Sequence, residues 1–202
     1  MHREVFPQWS RPTSKPCLAE GRIDVWRITP TPGPGQRASA HSALREILCA
    51  YLGCSSEALE IKAWPGGKPY LGAPDTQLEF NLSHSRDIAL VGVTSSLKLG
   101  IDVETHRAIH DPLRLARRVM TADECVELDG LPEEQRLDRF LTLWTQLEAR
   151  QKAMGLGVFA QAADPALLSG FSFRPGPDRY ASLCVSPATV DPDLRFFDFS
   201  PL

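Results

Sequence analysis

The chain has 202 residues, a hydrophobic fraction of 43% and a charged fraction of 23%, which is typical of a folded globular protein. A net charge of −3 gives no general attraction to nucleic acid or to a membrane surface, and we expect neither as a partner. The five cysteines form no CxxC pair, which argues against a disulfide framework or a zinc site. The N-terminus has no long apolar run and no stretch approaches 18 apolar residues, so we expect no signal peptide, no membrane span and a cytoplasmic protein. The length favours a monomer.

The first part of the chain predicts an arm followed by a small α+β unit. Residues 1–20 contain three prolines and little periodicity, which indicates a loosely attached arm. Residues 23–28 alternate apolar and polar side chains, as a strand does, and residues 37–52 place apolar side chains at helical spacing before Gly53. A polar turn is predicted at residues 83–87. Further strands are predicted at 59–64, 68–71, 78–82 and 88–94.

The second part predicts a strand, then helices, then closing strands. Thr121 and Glu124 have the spacing of a capping box, and a long helix is expected from about Pro132 through Ala153. The order of strand, helix and strands occurs once in residues 21–96 and again in 97–202, which predicts an α+β fold of two similar lobes with a cleft between them. The other predicted elements are a strand at 99–104, a helix at 112–119, and strands at 171–173, 180–185 and 194–199.

Two carboxylates lie on the predicted strand 99–104. Asp102 and Glu104 are two positions apart and share one face of the strand, while Ile101 and Val103 face the other way. Each carboxylate can give one oxygen to a divalent cation, and a few hard oxygen ligands suit Mg²⁺. The same pattern also fits the solvent-facing side of an ordinary amphipathic strand.

The long helix carries a carboxylate and an ammonium one turn apart. Glu148 and Lys152 are spaced i, i+4, in the order that favours a simple surface ion pair. Together with the two strand acids, Glu148 would provide a third carboxylate for a cation, and Lys152 a point charge for a phosphate oxygen. The joint pattern therefore predicts a site that holds a cation against a phosphate.

Further polar groups precede these two motifs. Ser83 and His84 follow a predicted strand, where a hydroxyl, an imidazole and backbone N–H groups suit a phosphate, although an ordinary polar turn fits equally well. Lys68 lies at a tight turn after two glycines. Arg37 and Arg45 are eight residues apart on the first predicted helix, so they can share a face and form a basic wall for a phosphorylated ligand.

Taken in order, four segments resemble the motifs of a known family. They are Gly67-Lys68-Pro69, Phe80-Asn81-Leu82-Ser83-His84-Ser85, Gly100-Ile101-Asp102-Val103-Glu104, and Trp144-Thr145-x-x-Glu148-Ala149-x-x-Lys152-Ala153-x-Gly155-x-Gly157. The series resembles the Sfp-type 4′-phosphopantetheinyl transferases over about residues 37–157. Each motif is modest alone, whereas four in this order are specific.

The resemblance implies an enzyme that transfers the 4′-phosphopantetheine group of coenzyme A to a serine of an apo carrier protein (acyl, peptidyl or aryl) and releases adenosine 3′,5′-bisphosphate. It also implies a pseudo-dimer of two α+β lobes with the active site in the cleft between them, with Mg²⁺ as cofactor and coenzyme A as co-substrate. The residues that match the family's Mg²⁺ ligands are Asp102, Glu104 and Glu148, and Glu148 and Lys152 match catalytic residues. The residues that match coenzyme A contacts are Arg37, Arg45, Lys68, Ser83, His84 and Lys152.

One position departs from the family pattern. The family usually reads Trp-x-x-Lys-Glu in the helix motif, and Leu147 stands where that lysine would be. A side chain there is about 100° around the helix from Glu148 and need not reach the phosphate that Lys152 contacts, so we expect activity to survive. One alternative is a non-catalytic relative that binds coenzyme A or a carrier protein without transfer. Another is an unrelated Mg²⁺ phosphohydrolase, against which the ordered motifs argue.

Overall fold

The computed structural model describes residues 2–74, 76–95, 97–156, 165–188 and 191–200, which form a mixed α+β fold. The helices are α1 (Gln36–Leu52), α2 (Pro112–Val119), α3 (Ala122–Gly130) and α4 (Glu133–Met154). The strands are β1 (His2–Glu4), β2 (Trp9–Ser10), β3 (Arg22–Ile28), β4 (Glu60–Ala63), β5 (Pro69–Ala73), β6 (Leu78–Ser85), β7 (Ile88–Ser95), β8 (Lys98–Thr105), β9 (Ser169–Phe173), β10 (Arg179–Ser186) and β11 (Asp193–Asp198). Over the described ranges, none of the helices combines the length and apolarity that crossing a membrane requires.

Two sheets pack face to face, and each carries a helix on its outer face. A five-stranded sheet has the order β2-β11-β3-β7-β6, a four-stranded sheet has the order β1-β9-β10-β8, and β4 and β5 form a separate hairpin. Val25 and Leu90 from the first sheet share one buried cluster with Ile101 and Leu183 from the second. Helix α1 packs on the outer face of the five-stranded sheet, and α4 covers β8 and β10. The predicted α+β class is confirmed.

Alternation along each strand decides which core a side chain enters. In β7, Ile88 and Leu90 join the core between the sheets, whereas Ala89 and Val91 join the core under α1. Successive side chains of a strand point to opposite faces, so a strand covered on both sides needs apolar residues at both parities. This explains why β7 reads as a nearly continuous apolar run.

Helix ends follow local sequence signals. The backbone N–H of Thr121 donates to the Glu124 carboxylate at 2.9 Å, and the Glu124 N–H donates to the Thr121 hydroxyl at 3.3 Å, which is the predicted capping box. Helix α1 ends at Leu52, and Gly53 has a φ of 67°, in the left-handed region that favours glycine. Both predicted helix boundaries are therefore confirmed.

Strand β6 is longer than its sequence pattern predicts. It runs through Ser85, so the prediction of a turn that contains Ser83, His84 and Ser85 is wrong, and the turn begins at Arg86 with a φ of 52°. Because side chains alternate along a strand, Ser83 and His84 point to opposite faces. Ser83 is buried and His84 is exposed.

The N-terminal arm is tied to both sheets, and the prediction of a loosely attached segment is wrong. Strand β1 pairs in parallel with β9, and β2 pairs in parallel with β11. Residues 2–10 therefore link the two sheets along their outer edges. The last strand, β11, lies between β2 and β3 in the five-stranded sheet. The division of the chain into residues 1–20, 21–96 and 97–202 stays a prediction.

Replacing Trp9 by alanine should lower the free energy of unfolding by about 2 kcal/mol, and the melting temperature by roughly 4–8 °C. The Trp9 ring lies 5.3 Å from the Phe196 ring, centroid to centroid, and the Arg27 guanidinium lies 4.3 Å from the Trp9 ring centroid. Truncation removes these contacts between the arm and the sheets. Differential scanning calorimetry measures the change, with Phe6→Ala as the control because Phe6, in the same arm, is 78% exposed. Equal melting temperatures for the Trp9 variant and the parent would show that the arm contributes nothing.

Candidate active site

Asp102 and Glu104 lie along one side of the two facing sheets, where an edge strand of one sheet contacts an edge strand of the other. Strand β6 is the edge of the five-stranded sheet and β8 is the edge of the four-stranded sheet, and the two strands contact each other. We call this junction, formed by residues 81–85 and 101–105, the seam. The second half of α4 covers it, since α4 packs along β8.

Strand β8 divides its side chains between the core and the helix. Ile101 and Val103 enter the core between the sheets, and Gly100 and Asp102 have the opposite parity and face α4. A Cβ atom at Gly100 would lie 2.1 Å from the carbonyl oxygen of Ala149 and 2.3 Å from the backbone N of Ala153. Only glycine leaves room for this approach of helix backbone to strand. The close approach is what brings the helix motif to the strand motif.

Three of the predicted residues meet around Asp102. The Lys152 ammonium lies 2.6 Å from Oδ1 of Asp102, and the Ser83 hydroxyl donates to the same oxygen at 2.8 Å. Lys152 also lies 3.3 Å from Ser83 Oγ and 3.8 Å from Oε2 of Glu148. Asp102 is 5% exposed and the Lys152 side chain 27% exposed, so this ion pair is partly shielded from water. The predicted surface pair between Glu148 and Lys152 is thus part of a half-buried network that also contains Asp102.

The second strand acid, Glu104, belongs to the same group of charges. Ser85 Oγ donates to its Oε2 at 3.1 Å, and the exposed Arg107 lies 3.8 Å from its Oε1. Burial raises the pKa of Glu104, and the negative charge of Asp102 raises it further. Burial likewise raises the pKa of Glu148, followed by the charges of Asp102 and Glu104. The three carboxylates therefore repel one another across the seam.

The acids fit a divalent cation in charge and in donor type. Oδ2 of Asp102 is buried and has no hydrogen-bond partner among the described residues, so a strong acceptor is left over. Within the described part of the chain, no three acidic, imidazole or thiol groups converge closely enough to hold a metal by themselves. A site of this kind suits Mg²⁺, which takes one or a few carboxylates and completes its coordination with water and substrate phosphates.

Of the predicted basic residues, Lys68 lies next to the acids and Arg45 does not. Burial lowers the pKa of Lys68, whose ammonium donates to the carbonyl oxygen of Leu99 at 2.9 Å, next to the start of the acid motif. Arg45 is held elsewhere: its guanidinium donates to Leu59 O at 2.9 Å and to Ser56. Its donors are thus engaged in fixing the segment after α1.

Three further basic residues lie on facing elements: Arg37 and His41 are on α1, and His84 is on β6, whose outer face packs against α1. Burial lowers the pKa of His41, and the positive charges of Arg37 and His84 lower it further. Arg37 and His84 were predicted as site residues, and His41 was not. Its spacing could have indicated it, since His41 follows Arg37 by four residues, about one helical turn.

Ser85 was also missed, because its pattern predicted a turn. Once Ser83 is placed in a strand, period-2 alternation puts Ser85 on the same face as Ser83, toward the acids.

Leu147, the position that departs from the family pattern, is 4% exposed and packs within the protein. Gly157, the last residue of the helix motif, lies outside the described residues.

Replacing Glu148 by glutamine should raise the melting temperature of the metal-free protein at neutral pH. A carboxyl whose pKa is raised by folding stabilises the fold fully below its ordinary pKa of 4.5, and this contribution is lost as pH rises through the folded-state pKa. Glutamine mimics the protonated form, so the gain should be present at pH 7 and absent near pH 4. Calorimetry with a chelator at both pH values measures it, with Glu20→Gln, an exposed acid, as the control. A lower melting temperature at pH 7 would contradict the charge crowding.

Comparison with known proteins finds relatives that are all named for the same activity. The sequence model of the 4′-phosphopantetheinyl transferase superfamily matches residues 98–187, which include β8 and α4. The chain is 39% identical over 117 residues to 4′-phosphopantetheinyl transferase HetI of Nostoc sp. (strain PCC 7120), covering 57% of this chain and 49% of HetI. It is 31% identical over 152 residues to 4′-phosphopantetheinyl transferase psf-1 of Bacillus pumilus, covering 74% of this chain and 64% of that protein.

The extent of these matches differs between relatives. The chain spans about half the length of HetI and of a Synechocystis relative. It is 34% identical over 140 residues to 4′-phosphopantetheinyl transferase AcpT of Escherichia coli O157:H7, covering 67% of this chain and 71% of AcpT. With that identity over more than two thirds of AcpT, and with the superfamily match over the strand and helix that carry the acids, the chain belongs to the 4′-phosphopantetheinyl transferase superfamily.

Proposed function

We propose that this protein transfers the 4′-phosphopantetheine group of coenzyme A to a serine of an apo carrier protein and releases adenosine 3′,5′-bisphosphate. The observation that carries the proposal is the contact of Lys152 with Asp102 at the seam, 2.6 Å long, with Glu104 and Glu148 beside it. Membership of the superfamily supports it, as does the transferase activity for which HetI, AcpT and psf-1 are named. We further propose that each sheet with its helix is one lobe of a pseudo-dimer, and that coenzyme A binds in the cleft between the lobes.

In this proposal Asp102, Glu104 and Glu148 would hold Mg²⁺ through carboxylate oxygens. A bound cation would supply positive charge to the diphosphate of coenzyme A and to the leaving phosphate. Glu148 also accepts the proton of the carrier serine. A carboxylate within hydrogen-bond reach of the serine hydroxyl can take its proton in the transition state.

The remaining residues bind and align the diphosphate. The carrier serine oxygen forms a bond to the β-phosphorus of coenzyme A as the bond from that phosphorus to the adenosine bisphosphate oxygen breaks, and the serine proton goes to Glu148. Lys152 donates to a phosphate oxygen and stabilises the charge that moves onto it. Lys68 and Arg37 supply further positive charge for the phosphates, and the imidazoles of His41 and His84 offer N–H donors. We propose that Ser83, which donates to Asp102, and Arg45, which donates to Leu59 O, support the site rather than contact coenzyme A.

Mass spectrometry of a carrier protein tests the proposal. The protein is incubated with coenzyme A, MgCl₂ and apo carriers of the acyl, peptidyl and aryl classes, and the carrier is weighed intact. The expected result is a mass gain of one phosphopantetheine on at least one carrier, together with release of adenosine 3′,5′-bisphosphate. A mutant carrier that lacks the acceptor serine is the matched control.

The buried Leu147 favours one alternative, a relative that binds without catalysis. If no carrier gains mass while coenzyme A still binds in isothermal titration calorimetry, the transferase proposal fails and this alternative stands. Hydrolysis of coenzyme A without carrier labelling would favour a phosphohydrolase instead.

A further inference from the structure

The seam is held together by side chains of β6 that take the place of backbone partners. The backbone N–H of Ile101 donates to Asn81 Oδ1 at 2.9 Å, that of Val103 to Ser83 Oγ at 3.3 Å, and that of Thr105 to Ser85 Oγ at 3.1 Å. Every second side chain of β6 thus accepts from every second backbone N–H of β8, and the two residues of each pair are 20 positions apart in the sequence. Three edge amides of β8 are satisfied in this way, without a continuous sheet across the junction.

Ser83 and Ser85 each have a second hydrogen-bond partner, which is one of the two strand acids. A hydroxyl can accept one hydrogen bond while donating another. Ser83 accepts from the Val103 N–H and donates to Asp102 at 2.8 Å. Ser85 accepts from the Thr105 N–H and donates to Glu104 at 3.1 Å. Both acids are therefore fixed relative to the strand backbone through a serine.

The two acids differ in what else holds them. Asp102 is also bound by Lys152 at 2.6 Å, whereas the only ion pair of Glu104 in the described part of the chain is with Arg107, at 3.8 Å, and the Arg107 side chain is 52% exposed. Within the described residues, Ser85 supplies the one side-chain hydrogen bond that Glu104 accepts. A glutamate has three rotatable side-chain bonds, and fixing them before a ligand arrives lowers the entropy cost of binding.

We infer that Ser85 is a positioning residue, which holds the Glu104 carboxylate ready for the divalent cation by bridging it to the Thr105 backbone N–H. The inference rests on the proposed function only in assigning a cation to Glu104. A further hydrogen bond holds Ser85 next to Thr105: the Thr105 hydroxyl donates to the Ser85 carbonyl oxygen at 3.2 Å. Loss of such an outer hydrogen bond to a metal ligand typically weakens metal affinity by about 10- to 100-fold.

Titration with Mn²⁺ as the probe tests the inference directly. The EPR signal of free Mn²⁺ reports cation binding by the full chain with saturating coenzyme A, and coenzyme A without protein gives the background. Ser85→Ala should raise the Mn²⁺ dissociation constant about tenfold. Ser85→Thr keeps the hydroxyl and should restore affinity to near that of the parent. Ser169→Ala is the matched control, because it also removes a serine hydrogen bond, to Ala188 O at 2.8 Å, on a strand away from the seam.

The outcomes are separable from those of the transfer assay. A dissociation constant for Ser85→Ala within twofold of the parent, or parent protein that binds no Mn²⁺ above background, overturns the inference even if carriers are labelled. Tenfold weaker binding with rescue by threonine supports it even if no carrier is labelled. Should Ser85→Ala fail to fold, as judged by circular dichroism, Ser85→Cys decides: its thiol is a weak donor of similar shape, and affinity equal to the parent would overturn the inference.

Discussion

Replacing Asp102 by asparagine should reduce carrier labelling by roughly 10³-fold, because several kcal/mol of charge stabilisation depend on this carboxylate. Asp102 accepts from Lys152 at 2.6 Å and from Ser83 at 2.8 Å, and its Oδ2 is a buried acceptor without a hydrogen-bond partner among the described residues. An amide lacks the negative charge that a cation needs and presents an N–H₂ group where an oxygen stood. The single-turnover rate of transfer to an apo carrier measures the loss.

The same substitution should also cost stability. It leaves Lys152, whose side chain is 27% exposed, without its nearest anion. This should lower the free energy of unfolding by about 2 kcal/mol, less than for a fully buried pair. A control must separate this effect from the loss of cation binding. Asp24→Asn serves, since Asp24 is fully buried and paired with Arg22 at 2.7 Å, on a strand outside the seam. It should lower the melting temperature and leave Mn²⁺ affinity unchanged. Full labelling activity in Asp102→Asn would remove Asp102 from the site.

Gly100→Ala should disrupt both the fold and the site. The new methyl carbon would lie 2.1 Å from the Ala149 carbonyl oxygen and 2.3 Å from the Ala153 N, and both are backbone atoms that cannot rotate away. Helix α4 must therefore move off β8. We expect a loss of roughly 4 kcal/mol and a fall in melting temperature of about 8–16 °C.

The displacement should reduce activity beyond what the loss of folded protein explains. A shift of about 1 Å between Lys152 and Asp102 is enough to cost roughly 100-fold in rate. Transfer measured well below the melting temperature, per folded molecule, tests this. Gly130→Ala is the control, because a Cβ there meets nothing within 4 Å, and it should be neutral or slightly stabilising. A Gly100→Ala protein as stable and active as the parent would show that the helix does not need this contact.

The regular elements were predictable because their signals are local. Alternation predicted the strand that became Lys98–Thr105 and put Asp102 and Glu104 on one side of it. Helical spacing predicted that Glu148 and Lys152 lie one turn apart, and the capping box predicted the start of α3. The same reasoning failed at residues 83–85, since polar side chains in a row are typical of a turn when no partner strand is known.

The placement of the arm was also beyond the sequence. Three prolines predicted a loose segment, but β1 and β2 gain backbone partners on β9 and β11, more than 150 residues later in the chain. Such pairing depends on which strands form the edges of the folded sheets, and the local sequence of the arm does not contain that information. The resemblance to a family supplied the roles of residues, and the structure showed that Arg45 is held by Ser56 and Leu59.

By itself the sequence determined the types of charge and their order along the chain: two acids on a strand, and an acid and a lysine on a helix. It did so because side-chain direction within one element follows from backbone geometry alone. Only the tertiary structure decided that Lys152 meets Asp102 rather than Glu148 alone, and that Ser85 holds Glu104. Those contacts depend on two sheets meeting at their edges and on Gly100 admitting α4, which are distances between elements far apart in sequence.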